Sequence, residues 1–345
     1  MKKTLFVLSV ATLAAGTAAA QSSVTLFGIV DASARYVKNG SAGSQKQLAA
    51  GGLNTSRFGF RGSEDLGSGL RAAFHLEAGI SPDTGTTDAK FFGRRATVSL
   101  LGSFGEVRLG RDYNPTALNT FSEPFGAVGV GSVGGAFTYG PTSALGSGAT
   151  TTLRNDNSIG YFLPTNLGGL YGSVMVAAGE GVPGNKYVGG RVGFAAGPVD
   201  VAVGYGKTET VSNTDYDQYN AKALYDFGLA KLNGLYDVKK FGSLSQKLAL
   251  VGVTVPLGNG ELRAAYAINN RSGGVAGSGF SNADDSKLMA LGYYYNLSKR
   301  TALYTTVARI TNEGAARGSV SGAPPAGMLG GQTSSGVEAG VSHKF

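Results

Sequence analysis

The chain has 345 residues, of which 56 are Gly and none is Cys, and its formal net charge is +8. Charged residues make up only 15% of it and hydrophobic residues 42%, which excludes a disordered chain, since disorder requires low hydrophobicity with high net charge. Long helices are disfavoured because each interior Gly costs about 1 kcal/mol relative to Ala, and repeated apolar runs of roughly 20 residues, as in helical membrane proteins, are missing. A Gly-rich protein dominated by β-strands remains.

The first twenty residues are typical of a secretory signal peptide. Two lysines precede an apolar stretch, and Ala18 and Ala20 fit an Ala-x-Ala cleavage site. We therefore expect residues 1–20 to be removed and residues 21–345 to form one domain outside the cytoplasm. The absence of Cys argues against a disulfide scaffold and against thiolate metal sites.

Beyond this segment, apolar and polar residues alternate over stretches of about ten residues, the period of a β-strand with two different faces. Residues 261–271 show it clearly, with Leu262 and Tyr266 on one face and Glu261 and Arg263 on the other. Sixteen such strands are predicted to begin near Val24, Ser56, Leu70, Phe91, Gly105, Arg154, Leu170, Lys186, Val199, Asp217, Ala230, Gln246, Glu261, Asp285, Thr301 and Ser334.

The connections between these strands alternate in length. Short turns are predicted at residues 64–69, 102–105, 164–169, 196–198, 226–229, 257–260 and 298–300, and most of the others are long. A soluble β-sandwich or β-helix would bury its apolar face, whereas a transmembrane barrel turns that face to lipid and its polar face to an aqueous lumen. Strand length, alternating connections and aromatic residues at strand ends favour the barrel. The predicted fold is an all-β, sixteen-stranded antiparallel transmembrane barrel.

Three motifs carry a resemblance to a known family: SVTLFGIVD at residues 23–31, SRFGFRGSEDLGSGL at 56–70 and FGEVRLGR at 104–111. Together they resemble the general porins of Gram-negative bacteria, in their β-proteobacterial branch. The resemblance covers the whole mature chain. It implies a homotrimer in the outer membrane, in contact with lipid and lipopolysaccharide, a long third loop folded into the lumen, and passive diffusion of small hydrophilic solutes with a preference for anions. The terminal Phe345 resembles the signal that the barrel assembly machinery reads.

Residues 114–153, called the long connection below, far exceed ordinary loop lengths, and loops of that size are usually functional or disordered. From residue 124 to residue 153 they include eight Gly and no charged residue. By its position, third among the long connections, this segment matches the family's constriction loop; a solvated surface loop is the alternative. Glu123, in the sequence FSEPFG, is the acid expected to face the pore.

Alternation also predicts which charges line the lumen. Phe58 and Phe60 face lipid, so Arg57 faces inward, and the same reasoning places Arg95, Arg154 and Glu77 inside. A guanidinium keeps its charge at neutral pH, so a cluster in a narrow bore of low dielectric constant would concentrate anions. For any single Arg, a lumen-wall ion pair without functional weight is the alternative.

The expected constriction consists of Arg57, Arg95 and Arg154, opposed by Glu77, Glu123 and Asp112, and matches the family's arrangement of an Arg cluster facing acids near the loop. No catalytic, cofactor or metal site is predicted, since His75 and His343 are too few and too far apart in sequence. Dispersed Lys and Arg give no reason to expect nucleic acid binding. We expect a general-diffusion channel; a substrate-specific channel for a small anionic solute is the alternative, and a barrel for adhesion or anchoring is a third hypothesis.

Overall fold

A computed structural model describes residues 23–139, 143–210 and 214–345; the predicted signal peptide lies outside these residues. Eighteen strand segments occur in the described part of the chain: β1 Ser23–Asn39, β2 Ser44–Ala50, β3 Arg57–Gly67, β4 Leu70–Ser81, β5 Thr86–Thr87, β6 Arg95–Gly102, β7 Gly105–Tyr113, β8 Arg154–Phe162, β9 Leu170–Ala177, β10 Tyr187–Ala196, β11 Val199–Thr208, β12 Tyr216–Asp226, β13 Lys231–Phe241, β14 Leu244–Leu257, β15 Gly260–Ser272, β16 Ser286–Asn296, β17 Thr301–Asn312 and β18 Ser334–Lys344. Short helical turns are a 3₁₀ helix at Gly40–Ala42, α1 at Pro115–Thr120 and a π-helix at Gly134–Thr138.

These segments form one closed antiparallel barrel of sixteen strand positions. Strand β1 pairs with β2 along its second half and with β3 along its first half, so β2 and β3 share one position. In the same way β5 and β6 share the position beside β4. Pairing of β1 with β18 closes the sheet. The predicted sixteen-stranded barrel is confirmed.

The predicted strand starts agree with the structure to within about two residues at fifteen of the sixteen positions. The exception is β6, which begins at Arg95 rather than near Phe91. The segments β2 and β5 were not predicted. Turn-forming residues explain why the strand boundaries could be predicted. At the turn from β3 to β4, Gly67 and Gly69 adopt φ of 84° and 79°, a region that L side chains rarely enter.

The outer surface of the barrel is apolar. Val203, Val251, Met289 and Val307 are all about half exposed, while their neighbours along each strand face inward. Short turns join the strands at the end of the barrel where Ser23 and Phe345 lie, called the short-turn end below; in a barrel of the expected kind this is the periplasmic end.

No helix among the described residues is both long enough and apolar enough to span a bilayer.

The first and last strands of the described chain meet at the barrel seam. The amides of Gly28 and Phe345 each donate to the other residue's carbonyl, both at 3.1 Å. A side chain at residue 28 would lie 2.4 Å from the Phe345 ring, so glycine is required for the ring to pack across β1.

The inward-facing side chains divide the wall into two halves. On β3–β8, here called the charged half, they include many Arg, Asp and Glu residues. On β13–β18, here called the anchoring half, many are apolar and fully buried: Leu235, Leu248, Leu250, Leu288 and Ile310. The main hydrophobic cluster of the described chain therefore lies on the inner face of the anchoring half.

Candidate functional site

The long connection begins with a capped helix. The side chain of Asn114 accepts a hydrogen bond from the Ala117 amide (2.7 Å) and Pro115 occupies the first turn, the usual composition of a helix N-terminus. Hydroxyl and amide groups of α1 then reach strand β12, with Thr116 Oγ1 donating to Gln218 (3.0 Å) and Asn119 donating to Asn220 (3.0 Å). The start of the connection is therefore fixed to inward-facing side chains.

Four side chains of strands β13–β15 donate to backbone carbonyls of the long connection. Asn233 donates to Ser122 (2.7 Å) and Arg263 to Pro124 (2.6 Å). Lys239 donates to Thr138 (2.7 Å), and Gln246 to Phe137 (2.8 Å). These donors belong to the three neighbouring strands β13, β14 and β15. Two of them bind residues 122 and 124 and two bind residues 137 and 138, so this segment of the connection is held to the wall at both of its ends.

Apolar contacts join the same two surfaces. Phe125, Val130 and Phe137 are at most 1% exposed and belong to one cluster with the inward side chains of the anchoring half. The Val130 amide donates to Glu338 of β18 (3.0 Å), and Glu338 in turn pairs with Arg35 of β1 (2.8 Å). The long connection joins β7 to β8, yet it contacts strands β12–β15 and β18, which are not neighbours of β7 or β8 in the sheet.

On the charged half, the predicted arginines lie on alternate strands, β3, β6 and β8. Arg57 is 3.5 Å from Glu77, and Arg95 lies opposite Glu77 in the β4–β6 register. Arg154 stacks on the ring of Tyr113, with its guanidinium 4.2 Å from the ring centroid, and donates to the Tyr113 hydroxyl. The structure thus places all three arginines on the charged half, with β4 and β7 between the strands that carry them.

The acids Glu77 and Asp112 lie on this same wall rather than opposite it. Glu77 pairs with Arg94 (2.6 Å) as well as with Arg57, and Asp112 pairs with Arg108 (2.5 Å) and lies 3.7 Å from Arg95. The Arg57 and Arg95 side chains are 27% and 23% exposed, whereas those of Glu77 and Asp112 are 13% and 4% exposed. In the Arg57–Glu77 and Arg95–Asp112 pairs the cation is thus the more accessible partner, whereas Arg94, at 9%, is less exposed than Glu77.

Glu123 does not present a free carboxylate to the lumen. It is 7% exposed, and its two oxygens accept the amides of Val133 and Gly134, both at 2.7 Å. Burial raises the pKa of Glu123 to about 8, and the two backbone hydrogen bonds oppose that rise. The expectation that Glu123 faces the pore is corrected: it caps the π-helix of its own loop, because the Gly134 amide at that helix start needs an acceptor.

Two residues of the charged half were missed. Arg94 bridges Glu77 and the Tyr113 hydroxyl (3.1 Å), and the ring of Tyr113 meets that of Phe121 of the long connection at 4.9 Å. Alternation could not find Arg94, because it precedes the first residue of β6. The Arg94-Arg95 pair beside a turn was the available signal. We call Arg57, Arg94, Arg95 and Arg154 the arginine cluster.

This arrangement can bind and steer charge, and it offers little to chemistry. His75 Nε2 is 3.0 Å from Glu77, and within residues 23–139, 143–210 and 214–345 no hydroxyl donates to this imidazole as a catalytic triad would require. In the described ranges, no three His, Asp or Glu side chains come together in a way that could hold a metal ion.

A closed antiparallel barrel with an apolar outer belt and a charged inner wall defines an outer-membrane β-barrel protein. The family model for Gram-negative porins matches residues 7–315. The chain is 39% identical to outer membrane porin protein 32 of Delftia acidovorans, over 100% of both chains. It therefore belongs to the Gram-negative porin family, which consists of outer-membrane channels.

Two further similarities agree with this assignment. An outer membrane porin of Bordetella pertussis is 30% identical, over 88% of this chain and 93% of the relative. The solved structure of an anion-selective porin from Comamonas acidovorans covers 94% of this chain and 100% of its own, with 36% identity and a TM-score of 0.80.

Proposed function

We propose that this porin forms a water-filled general-diffusion channel for ions and small hydrophilic solutes, with a preference for anions. The observation that carries the proposal is the arginine cluster, whose Arg57 and Arg95 are more exposed than the acids that pair with them. The anion selectivity named for the similar Comamonas acidovorans protein supports the same direction.

In this proposal the long connection crosses the lumen and sets its narrowest point. Its contacts support that role, since residues 114–139 bind the inward side chains of β12–β15 and β18 while Phe121 contacts Tyr113 on the charged half. The opening lies between the connection and the arginine cluster. Arg57, Arg95 and Arg154 line it, and Glu77 and Asp112 limit its positive potential; Glu123 serves the loop instead.

The selectivity follows from electrostatics in a confined space. Walls of low dielectric constant focus the field of fixed charges and raise the local concentration of counter-ions. Screening shortens that field from about 10 Å at 0.1 M salt to about 3 Å at 1 M. The anion preference should therefore weaken as salt rises.

Neutralising three of the four arginines of the arginine cluster tests the proposal. In the triple variant Arg57→Gln, Arg95→Gln and Arg154→Gln, we expect the anion-to-cation permeability ratio to fall by at least about twofold and to depend less on ionic strength, because the focused potential is lost. Reversal potentials in a salt gradient across a planar bilayer measure both effects.

The matched control removes the same charge from the outer face. Lys38, Lys247 and Arg309 point outward and have no ion-pair partner among the described residues. The variant Lys38→Gln, Lys247→Gln and Arg309→Gln, called the outer-face control, should leave the ratio unchanged. An unaltered reversal potential in the first variant would place the selectivity elsewhere in the channel.

The same recording separates the other hypotheses. Saturable block of the current by one small anion, absent for others, would indicate a substrate-specific channel. Folded protein that gives no step currents would leave an adhesive or anchoring role.

Assembly and export complete the proposal. We infer a homotrimer, supported by a shallow groove of about 610 Å³ on the outer face beside Ala34, Leu48 and Ala339, where small side chains permit close contact. Residues 1–20 direct export, and Phe345 is the residue we expect the assembly machinery to read. Lipid and lipopolysaccharide would surround the apolar belt. Crosslinking of the detergent-extracted protein tests the trimer directly.

A further inference from the structure

A second group of cations lies at the short-turn end; one member, Lys344, lies across β1 from Arg57, since both are paired with Ile29. A cavity of about 550 Å³ runs from residues 121–126 of the long connection to the turn between β16 and β17. We call it the vestibule. Its wall is made by the inward-facing residues that lie nearest the short-turn end of strands β12–β18, among them Lys231, Glu261 and Ser342.

The vestibule opens to the lumen and not to lipid. Asn233 lines it and is 7% exposed, whereas its neighbour Leu232 is on the outer surface. Lys231 and Thr254 face each other in the β13–β14 register, so the residues lining the cavity continue from strand to strand on one face. Solutes that pass the long connection would therefore enter this space.

Five cationic and two acidic side chains line the vestibule. Arg263 pairs with Glu261 (2.8 Å) and Lys231 pairs with Asp226 (3.3 Å). The carboxylate of Glu123 is taken up by amides of its own loop. Each of these charges has a partner within the protein.

The remaining three cations are Lys299, Arg300 and Lys344. In the part of the chain that the structure describes, no carboxylate lies within ion-pair distance of them. The Lys344 amide donates to the Arg300 carbonyl (2.8 Å), so the backbones that carry these two side chains are adjacent. Ser298 and Ser342 line the same cavity.

We propose that the vestibule is a binding site for a compact multivalent anion, of the class of pyrophosphate or a tricarboxylate, held by Lys299, Arg300 and Lys344. Several unpaired cations converging on one cavity favour an anion that carries several charges, because each charge-assisted hydrogen bond adds to the others. The site rests on the proposed function, since it requires an open pore, and it makes the channel asymmetric: its anion site faces the periplasm.

Pyrophosphate is the probe. Added at 0.1 M KCl to the chamber that faces the short-turn end, it should block single-channel current at a lower concentration than when added from the loop side. An exposed ion pair contributes about twofold to fivefold in affinity. The variant Lys299→Gln, Arg300→Gln and Lys344→Gln should therefore weaken this block by about tenfold, and the outer-face control should not.

The side of addition is assigned with a unique label. Because the chain has no Cys, Asn259→Cys in the turn between β14 and β15 can be biotinylated selectively. Streptavidin then changes the current only from the chamber that faces the short-turn end. As a second measurement, ³¹P line broadening of pyrophosphate by the protein refolded in detergent should decrease in the single variant Arg300→Gln.

The outcomes separate the two proposals. Step currents with equal block from both sides, or block and line broadening unaffected by the substitutions, would overturn the vestibule site and leave the pore intact. Wild-type protein that gives no step currents would overturn the pore itself.

Discussion

The two halves of the barrel wall perform different tasks with the same strand geometry. In the charged half, inward positions carry Arg57, Glu77 and Arg95, and the arginines keep part of their surface accessible. In the anchoring half, inward positions such as Leu248 and Leu288 are buried under the long connection. One half keeps charged side chains accessible inside the barrel, and the other holds the long connection in place.

The difference shows that inward-facing side chains of a porin strand need be polar only where the long connection does not cover them. On β14, Leu250 is 2% exposed and Val251 is 57% exposed, yet both are apolar, because one meets the loop and the other meets lipid. A strand that is apolar on both faces indicates cover on both faces. The anchoring half therefore acts as a hydrophobic core in the barrel interior.

The largest expected effect comes from removing the central apolar contact of the anchoring half. Phe125→Ala should cost about 3 kcal/mol of local stability, as buried Phe truncations do, and so raise amide exchange in residues 125–138 by about a hundredfold. Hydrogen exchange of the detergent-folded protein measures it. The matched control Phe227→Ala, on the outer surface, should leave these amides protected; equal loosening in both variants would contradict the anchoring role.

The buried cation of the same half comes next. Lys239 is fully buried, donates to the Thr138 carbonyl and lies 3.9 Å from Asp237. Lys239→Met should destabilise the loop by about 2 kcal/mol, because a carbonyl and a buried carboxylate each lose a partner.

The double variant Asp237→Asn and Lys239→Met should be less affected, since the Asn carbonyl still accepts from Gln218 and Asn220. Exchange at residues 136–139 compares the two. A double variant as unstable as the single one would show that the charge on Asp237 is not the cause.

Sequence patterning predicted the charged half better than the anchoring half. Alternating aromatic and Arg residues in β3 indicate directly that Arg57 faces inward, because lipid requires Phe58 and Phe60 outside. On β15 the inward Ala265 and Ala267 carry no such signal, and only the structure shows that a distant loop covers them. Contacts between residues more than a hundred positions apart produce no periodic pattern of apolar and polar residues in the sequence around either partner.

Glu123 was misplaced for a related reason. Its local sequence offered an acid in an uncharged loop, but the partners that bury it lie ten and eleven residues further on. Tyr113 and Arg94 were also missed. Alternation assigned a face to Arg57, Arg95 and Arg154, the first residues of their strands, but it could not reach Arg94 before a strand or Tyr113 beyond the register shift in β7.

A smaller effect follows from the titration of Glu123. Its folded-state pKa of about 8 lies above the ordinary value of 4.5, so the loop is stabilised most when this carboxyl is protonated. That contribution is complete below about pH 4.5 and is lost as the pH rises through about 8. Protection factors of the Val133 and Gly134 amides should fall between pH 6 and pH 9. In Glu123→Gln this decline should disappear; its persistence would assign the titration to another group.

The smallest effect is expected on the charged half, from Tyr113→Phe. The hydroxyl accepts from Arg94 and Arg154, but the ring still supports the Arg154 guanidinium and still meets Phe121. Arg94 also keeps its ion pair with Glu77. The anion-to-cation permeability ratio should therefore change by less than about twofold, because no charge is removed from the focused field. Tyr236→Phe on the outer surface is the matched control. A reversal potential shifted as far as in the triple arginine variant would mean that the hydroxyl, and not the number of charges, holds the cluster in its selective arrangement.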